Sequence, residues 1–211
     1  MQDDKGLKAF FQIPSLYSVF QSALGAKYAR TWFIQECLRP RRHDKIIDIG
    51  CGPGDILDHL PSPQYIGIDI SEAYIAEARR RYGARGLFLQ GTTHTWQGDE
   101  RLRDADLVMS TAMLHHLDDA EASHLLEFAR ENLTIGGRFV AIEACRLRHQ
   151  NRVAQWILSK DRGRNIRQET EWRSLLQAHF AESSTHVVTG LIRIPYTHII
   201  LEGHKVLAAK V

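Results

Sequence analysis

The chain has 211 residues, 44% of them hydrophobic and 25% charged, with a formal net charge of +2. Its length suits one globular domain, and its near-neutral balance excludes the strong basic field of a nucleic-acid-binding surface. Three scattered cysteines fit neither a disulfide framework nor a zinc pattern, no apolar run approaches the ~20 residues that span a bilayer, and the polar start lacks the shape of a secretory leader, so a cytoplasmic protein without a membrane partner is expected.

Residues 14–39 carry Leu16, Val19, Phe20 and Leu24, then Trp32, Phe33 and Cys37, at helical spacing, which predicts two helices broken near Gly25. Residues 45–49 read as a first strand, and a helix follows from about Asp55 to just before Pro61. A second strand covers 65–69. Ser71 is a good N-cap for a helix to about Tyr82, with acids early and Arg79, Arg80 and Arg81 late, as the helix dipole prefers. Strands are predicted at 86–90 and 106–110 and a helix from about Asp119 to Leu133; Gly136-Gly137 ends that helix before a fifth strand at 138–143. Residues 144–168, rich in Arg, Gln and Asn, break the rhythm. A helix around Trp172 to Phe180 and strand-like runs at 185–189 and 197–201 close the chain. This alternation implies an α/β fold, a parallel sheet with helices on both faces.

The most informative stretch is Ile46-Ile47-Asp48-Ile49-Gly50-Cys51-Gly52-Pro53-Gly54. A buried strand ends in an acid, and glycines follow at every second position. Glycine there permits backbone angles that a Cβ forbids and lets a ligand lie against the main chain. The next strand, Tyr65-Ile66-Gly67-Ile68-Asp69-Ile70, also holds an acid near its end. Asp69 is placed to take the two hydroxyls of a ribose, or else to cap the following helix. The spacing differs from the Gly-x-Gly-x-x-Gly of nicotinamide sites, and a carboxylate at Asp48 repels a pyrophosphate but suits a cationic ammonium or sulfonium.

On these residues the chain resembles the class I S-adenosylmethionine-dependent methyltransferases, over roughly residues 30–145. The resemblance implies a doubly wound, mostly parallel seven-stranded Rossmann-like sheet with an antiparallel last strand, in a single domain over residues 1–211. Within it, residues 1–40 form a helical lid, 41–145 the cofactor-binding core, and 146–211 the substrate-side insertion and final strands. It implies S-adenosyl-L-methionine as cofactor. Gly50, Cys51, Gly52 and Gly54 meet its methionine and ribose parts beside Asp48, and Asp69 and Ile70 lie at the ribose. Thr92 and Thr93 stand near the adenine, although many relatives carry an acid at the position of Thr92. Ser110 borders the site from strand four, and Arg30 meets the cofactor's carboxylate from the lid, where Tyr17, Lys27 and Tyr28 are further candidates.

The run Ser110-Thr111-Ala112-Met113-Leu114-His115-His116-Leu117 looks like the family's loop after strand four. Methyl transfer is an in-line displacement that chiefly needs alignment, and a base is required only where the acceptor holds its proton. His115 or His116 is expected to serve as that base or as a substrate contact, the alternative being that both simply hold the loop. Glu143 ends strand five on the substrate edge. Arg162, Arg164 and Arg167 suit a phosphate or carboxylate, or a solvated loop; Tyr196 and His198 either reach the pocket or pack. No Asn/Asp-Pro-Pro-Tyr/Phe run follows strand four, which argues against amino methylation of a base. The expected reaction is O-methylation of a small-molecule hydroxyl, on a sugar or secondary metabolite, with no metal. The alternative is a catalytically inactive S-adenosylmethionine-binding module or partner subunit. A homodimer is one assembly left open.

Overall fold

The computed structural model describes residues 26–61, 63–160, 163 and 165–207. Seven strands form one sheet: β1 (Lys45–Ile49), β2 (Gln64–Asp69), β3 (Gly86–Gln90), β4 (Ala105–Thr111), β5 (Leu133–Ala144), β6 (Glu182–Thr189) and β7 (Thr197–His204). Their order across the sheet is β3-β2-β1-β4-β5-β7-β6. The first five run parallel, and β7 is antiparallel to both neighbours. The seven-stranded, doubly wound expectation therefore holds. The helices are α1 (Ala26–Trp32), α2 (Glu72–Tyr82), α3 (Asp119–Asn132), α4 (Arg152–Lys160) and α5 (Glu169–Gln177). No helix among the described residues is long and apolar enough to cross a membrane.

Side chains alternate across a strand, so each strand feeds two cores. Ile46, Tyr65, Leu107, Met109, Val140 and Ile200 pack on one face with Phe33, Leu38 and Ile75. Ile47, Ile66, Val108, Phe139, Ala141 and Leu201 pack on the other with Leu126, Phe128 and Trp172. Continuous apolar runs in β1 and β2 are what a sheet covered on both faces needs. Ser71 caps α2 as expected, its side chain accepting from the Tyr74 N–H at 3.3 Å.

Several boundaries differ from the sequence reading. The pair Gly136-Gly137 does not end a helix. α3 stops at Asn132, whose side chain donates back to the Phe128 carbonyl at 2.9 Å, and β5 starts at once. The two glycines lie within that strand, where they bond with Lys205: Gly136 N–H to its carbonyl at 2.7 Å, and its N–H to Gly137 O at 2.9 Å. Gly137 is needed there because a Cβ would meet the Ala105 carbonyl at 2.9 Å. The segment after Asp55 is a 3-10 helix (Asp55–His59), and the expected second N-terminal helix is α1 running into a π-helical turn, Phe33–Leu38. The first expected N-terminal helix and Tyr17 lie outside the described residues. α4 fills part of the stretch that broke the rhythm, with Ala154 and Leu158 buried four residues apart and Asn151 Oδ1 accepting from Val153 N–H at 2.7 Å. α5 begins three residues before the expected helix, at a capping box of Gln168 and Glu171.

β7 crosses Phe180 at Gly203, where an added Cβ would sit 2.5 Å from Cγ of that buried ring. Gly203→Ala is expected to destabilise the protein by about 1–3 kcal/mol through overpacking. Denaturant unfolding measures it, and an unchanged midpoint would mean that the ring moves aside without cost.

Candidate active site

The turn after β1 is built by three glycines at positive φ: Gly50 at 79°, Gly52 at 54° and Gly54 at 77°. Each has a different neighbour. A Cβ on Gly50 would meet Met113 Cγ at 2.9 Å, and one on Gly54 would meet Phe88 and Tyr82 at 3.2 Å. A Cβ on Gly52 would meet nothing within 4 Å. Gly50 and Gly54 therefore serve packing, while Gly52 leaves open backbone on which a ligand can lie. The Gly50 contact also shows that the loop after β4 rests directly against this turn.

Asp69, at the end of β2, holds the turn in place. Its Oδ2 accepts the Gly52 N–H at 2.9 Å and its Oδ1 the Ser71 N–H at 2.8 Å. It thus joins the glycine turn to the start of α2, and the helix cap itself belongs to Ser71. Ile70, next in sequence, is 70% exposed at the same edge, an apolar surface suited to a nucleoside. Asp48 lies beneath the turn, 3% exposed, with its Oδ2 accepting the Tyr65 hydroxyl at 2.6 Å. Burial raises its pKa from 3.8 to about 7 against the pull of that hydrogen bond; Asp69 adds to the rise and half-buried Arg30 opposes it. Cys51 is close-packed over Gly67, and burial pushes its thiol far up.

At the ends of β3 and β4 the geometry is more closed. Thr92 is exposed, and its hydroxyl accepts from the Thr95 N–H at 3.4 Å while Thr95 Oγ1 accepts the Thr92 N–H at 3.3 Å. Thr93 is buried, and Trp96 donates its indole N–H to Gln90 O at 3.2 Å, which places an aromatic ring at the end of β3. Ser110 is buried, and its hydroxyl has no hydrogen-bond partner among the described residues.

The loop after β4 is fastened by Glu143. This carboxylate is fully buried and accepts the N–H groups of Met113 at 3.0 Å, Leu114 at 2.9 Å and His115 at 3.3 Å. Its Oε2 also lies 2.6 Å from His115 Nδ1. Glu143 thus orients the loop and His115, and its burial keeps it from meeting a substrate directly. His115 is buried under Gly163, where an added Cβ would overlap its ring. His116 is exposed, with its ring 4.3 Å from that of His115.

Arg167 completes the arrangement from the far side. It is buried, donates to the Leu114 carbonyl at 3.3 Å and the Leu117 carbonyl at 3.0 Å, and pairs with Asp119 at 2.8 Å. Its guanidinium stacks 4.8 Å over the Trp172 ring. It is therefore committed to the protein rather than to a solvated loop or an anion. Arg162 and Arg164 lie outside the described residues. Lys27 and Tyr28 are exposed on α1. His198, opposite Ala144 on β7, is held neutral by burial, which lowers its pKa to about 4, and it contacts the Tyr196 ring at 4.8 Å. Tyr65, Trp96 and Gly163 were not singled out by the sequence reading; only an aromatic in an otherwise aliphatic strand marked Tyr65.

Residues 46–137 match the family model described as a methyltransferase domain. The chain is 40% identical over 78 residues to a trans-aconitate 2-methyltransferase of Escherichia coli (strain 536), a match covering 35% of this chain and 29% of that protein. It is 26% identical over 126 residues to a malonyl-[acyl-carrier protein] O-methyltransferase of Paenibacillus sp. (strain JDR-2), covering 55% of this chain and 46% of that one. The chain thus spans less than half the length of either curated relative. Its fold is similar to geranyl diphosphate C-methyltransferase of Streptomyces coelicolor A3(2), solved with S-adenosyl-L-homocysteine, at a TM-score of 0.63 and 15% identity, over 84% of this chain and 76% of that one.

Removing Glu143 strands three N–H groups and an imidazole at once. Glu143→Ala is expected to cost about 3–5 kcal/mol in denaturant unfolding, as for other broken buried pairs. A loss below about 1 kcal/mol would show that water replaces the carboxylate freely.

Proposed function

We propose that this chain is a class I S-adenosylmethionine-dependent methyltransferase and that it moves the cofactor's methyl group to an oxygen of a small-molecule acceptor. The observation that carries this reading is the buried His115–Glu143 pair on a loop packed against the glycine turn. The turn fits the cofactor: Gly52 offers open backbone, Ile70 an apolar surface, and Asp48 and Asp69 two carboxylates at the sheet's edge. When bound, S-adenosylmethionine supplies a methyl carbon activated by positive sulfur. The protein's task is then alignment and, for a hydroxyl acceptor, removal of one proton. Glu143 accepts a hydrogen bond from the Nδ1–H of His115 and fixes the orientation of that ring. Exposed His116 is the group an acceptor meets first, with His115 standing behind it in fixed orientation.

A second acceptor class is supported by the two curated relatives. Trans-aconitate and a malonyl group both present carboxylate oxygens. A carboxylate is ionised at neutral pH and needs no base, so the two readings separate on the histidines.

Titration calorimetry with S-adenosylmethionine, S-adenosylhomocysteine and NAD tests the cofactor: micromolar binding of the first two and none of NAD is expected. Gly52→Ala is expected to weaken both adenosyl ligands at least about tenfold, since its methyl enters the space left for them. With a hydroxyl acceptor, His116→Ala or His115→Ala lowers kcat about a hundredfold; with a carboxylate acceptor the rates stay near wild type. Full turnover of a hydroxyl acceptor by both variants removes the base. Tight cofactor binding without turnover of any acceptor would favour a binding module.

A further inference from the structure

Three carboxylates stand at the carboxyl ends of neighbouring strands, and their surroundings differ. Asp69 accepts two backbone N–H groups, and Glu143 accepts three together with an imidazole contact. Asp48 is buried, as Glu143 is, yet among the described residues its one side-chain donor is Tyr65. Tyr65 is itself buried, fixed by its contact with Phe88 at 5.8 Å between ring centroids and by Gly86, where a Cβ would press on the Tyr65 ring at 2.9 Å. A carboxylate dried out in this way, with one neutral donor and only the more distant Arg30 as a cation, is poorly compensated when ionised. The groups that face it are Tyr65 and Asp69 from β2, Cys51 from the turn after β1, and Arg30 from α1.

We propose that the Tyr65–Asp48 pair is a charge receptor beneath the glycine turn, in which Tyr65 positions the Asp48 carboxylate so that binding of the cationic methyl donor and loss of a proton from the pair are one coupled event. This rests on the reading that S-adenosylmethionine lies on that turn. In the step the Asp48 carboxyl O–H breaks, its proton passes to solvent, and the phenol keeps its own proton and its hydrogen bond. The cofactor's positive charge replaces the lost proton as partner of the carboxylate. Demethylation removes that charge at sulfur, so the product holds the ionised pair less well. Burial, which lifts the Asp48 carboxyl to about 7, agrees with this geometry. Tyr65 acts through Asp48 and is a positioning residue: its hydrogen bond favours the ionised carboxylate.

The test is calorimetry of the whole chain with S-adenosylmethionine and with S-adenosylhomocysteine, in buffers of low and high ionisation enthalpy, between about pH 6 and pH 8. The methyl donor is expected to release about half a proton near pH 7 and to bind about tenfold tighter at the upper pH, with a smaller rise for the product. Carbon NMR of ligand-free protein should show the Asp48 carboxyl titrating near neutrality. Asp48→Asn, nearly isosteric, should abolish the release, which also separates Asp48 from any histidine. Tyr65→Phe should move the release to higher pH and weaken donor binding severalfold at pH 7, with recovery in more alkaline buffer. Buffer-independent enthalpy and pH-independent affinity for a donor that does bind would overturn the coupling and leave the cofactor reading intact. Failure of both adenosyl ligands to bind at any pH overturns both.

Discussion

A parallel sheet leaves the N–H groups of its outgoing turns to find partners at the carboxyl edge, and here strand-end acids supply them. Asp69 ties the glycine turn to α2, and Glu143 ties the loop after β4 to β5. The bonds to Gly52 and to the loop after β4 join segments many residues apart, and that to Ser71 fixes the helix start, so the turn, the helix start and the histidine loop form one rigid rim. Charge-assisted bonds of this kind are shorter and stronger than neutral ones, which suits a rim that must hold its shape before any ligand arrives. Asp48 is the exception: among the described residues its carboxyl group takes a hydrogen bond from the Tyr65 hydroxyl and from no backbone N–H.

The sheet's two cores explain how that rim is supported. One face is filled by Phe33, Leu38 and Tyr65 beneath the glycine turn, the other by Trp172, Phe128 and Phe139 beneath the histidine loop. Arg138 on β5 donates to the carbonyls of Cys37 and Leu38 and pairs with Glu202 at 3.0 Å, which anchors the π-helical turn to the sheet. Trp172 donates its indole N–H to Ala144 O at 3.0 Å, so α5 is fixed where β5 ends.

The sheet was legible because buried parallel strands leave unbroken apolar runs, and the glycine turn because a positive φ all but demands glycine. What stayed hidden depends on contacts distant in sequence. Gly136-Gly137 looks like a helix stop until β7 is seen lying beside it. Glu143 looks like a substrate contact until its carboxylate is seen filled by the Met113–His115 amides. Arg167 reads as an anion contact or part of a solvated loop until Trp172 and Asp119 are seen to engage it. In α4 the buried pair Ala154 and Leu158 was a weak helical signal, diluted by the polar residues around it.

Because residues two apart along a strand share a face, Asp48 sides with Ile46 and Tyr65, whereas Glu143 sides with Ala141 and Phe139. The carboxylate bonded to Tyr65 and the carboxylate that holds the histidine loop thus lean on different cores. Substitutions beneath one carboxylate reach the other through the rim, where Met113 is held by Glu143 and rests against Gly50. The two faces of the sheet can thus be repacked separately only as far as that one methionine allows.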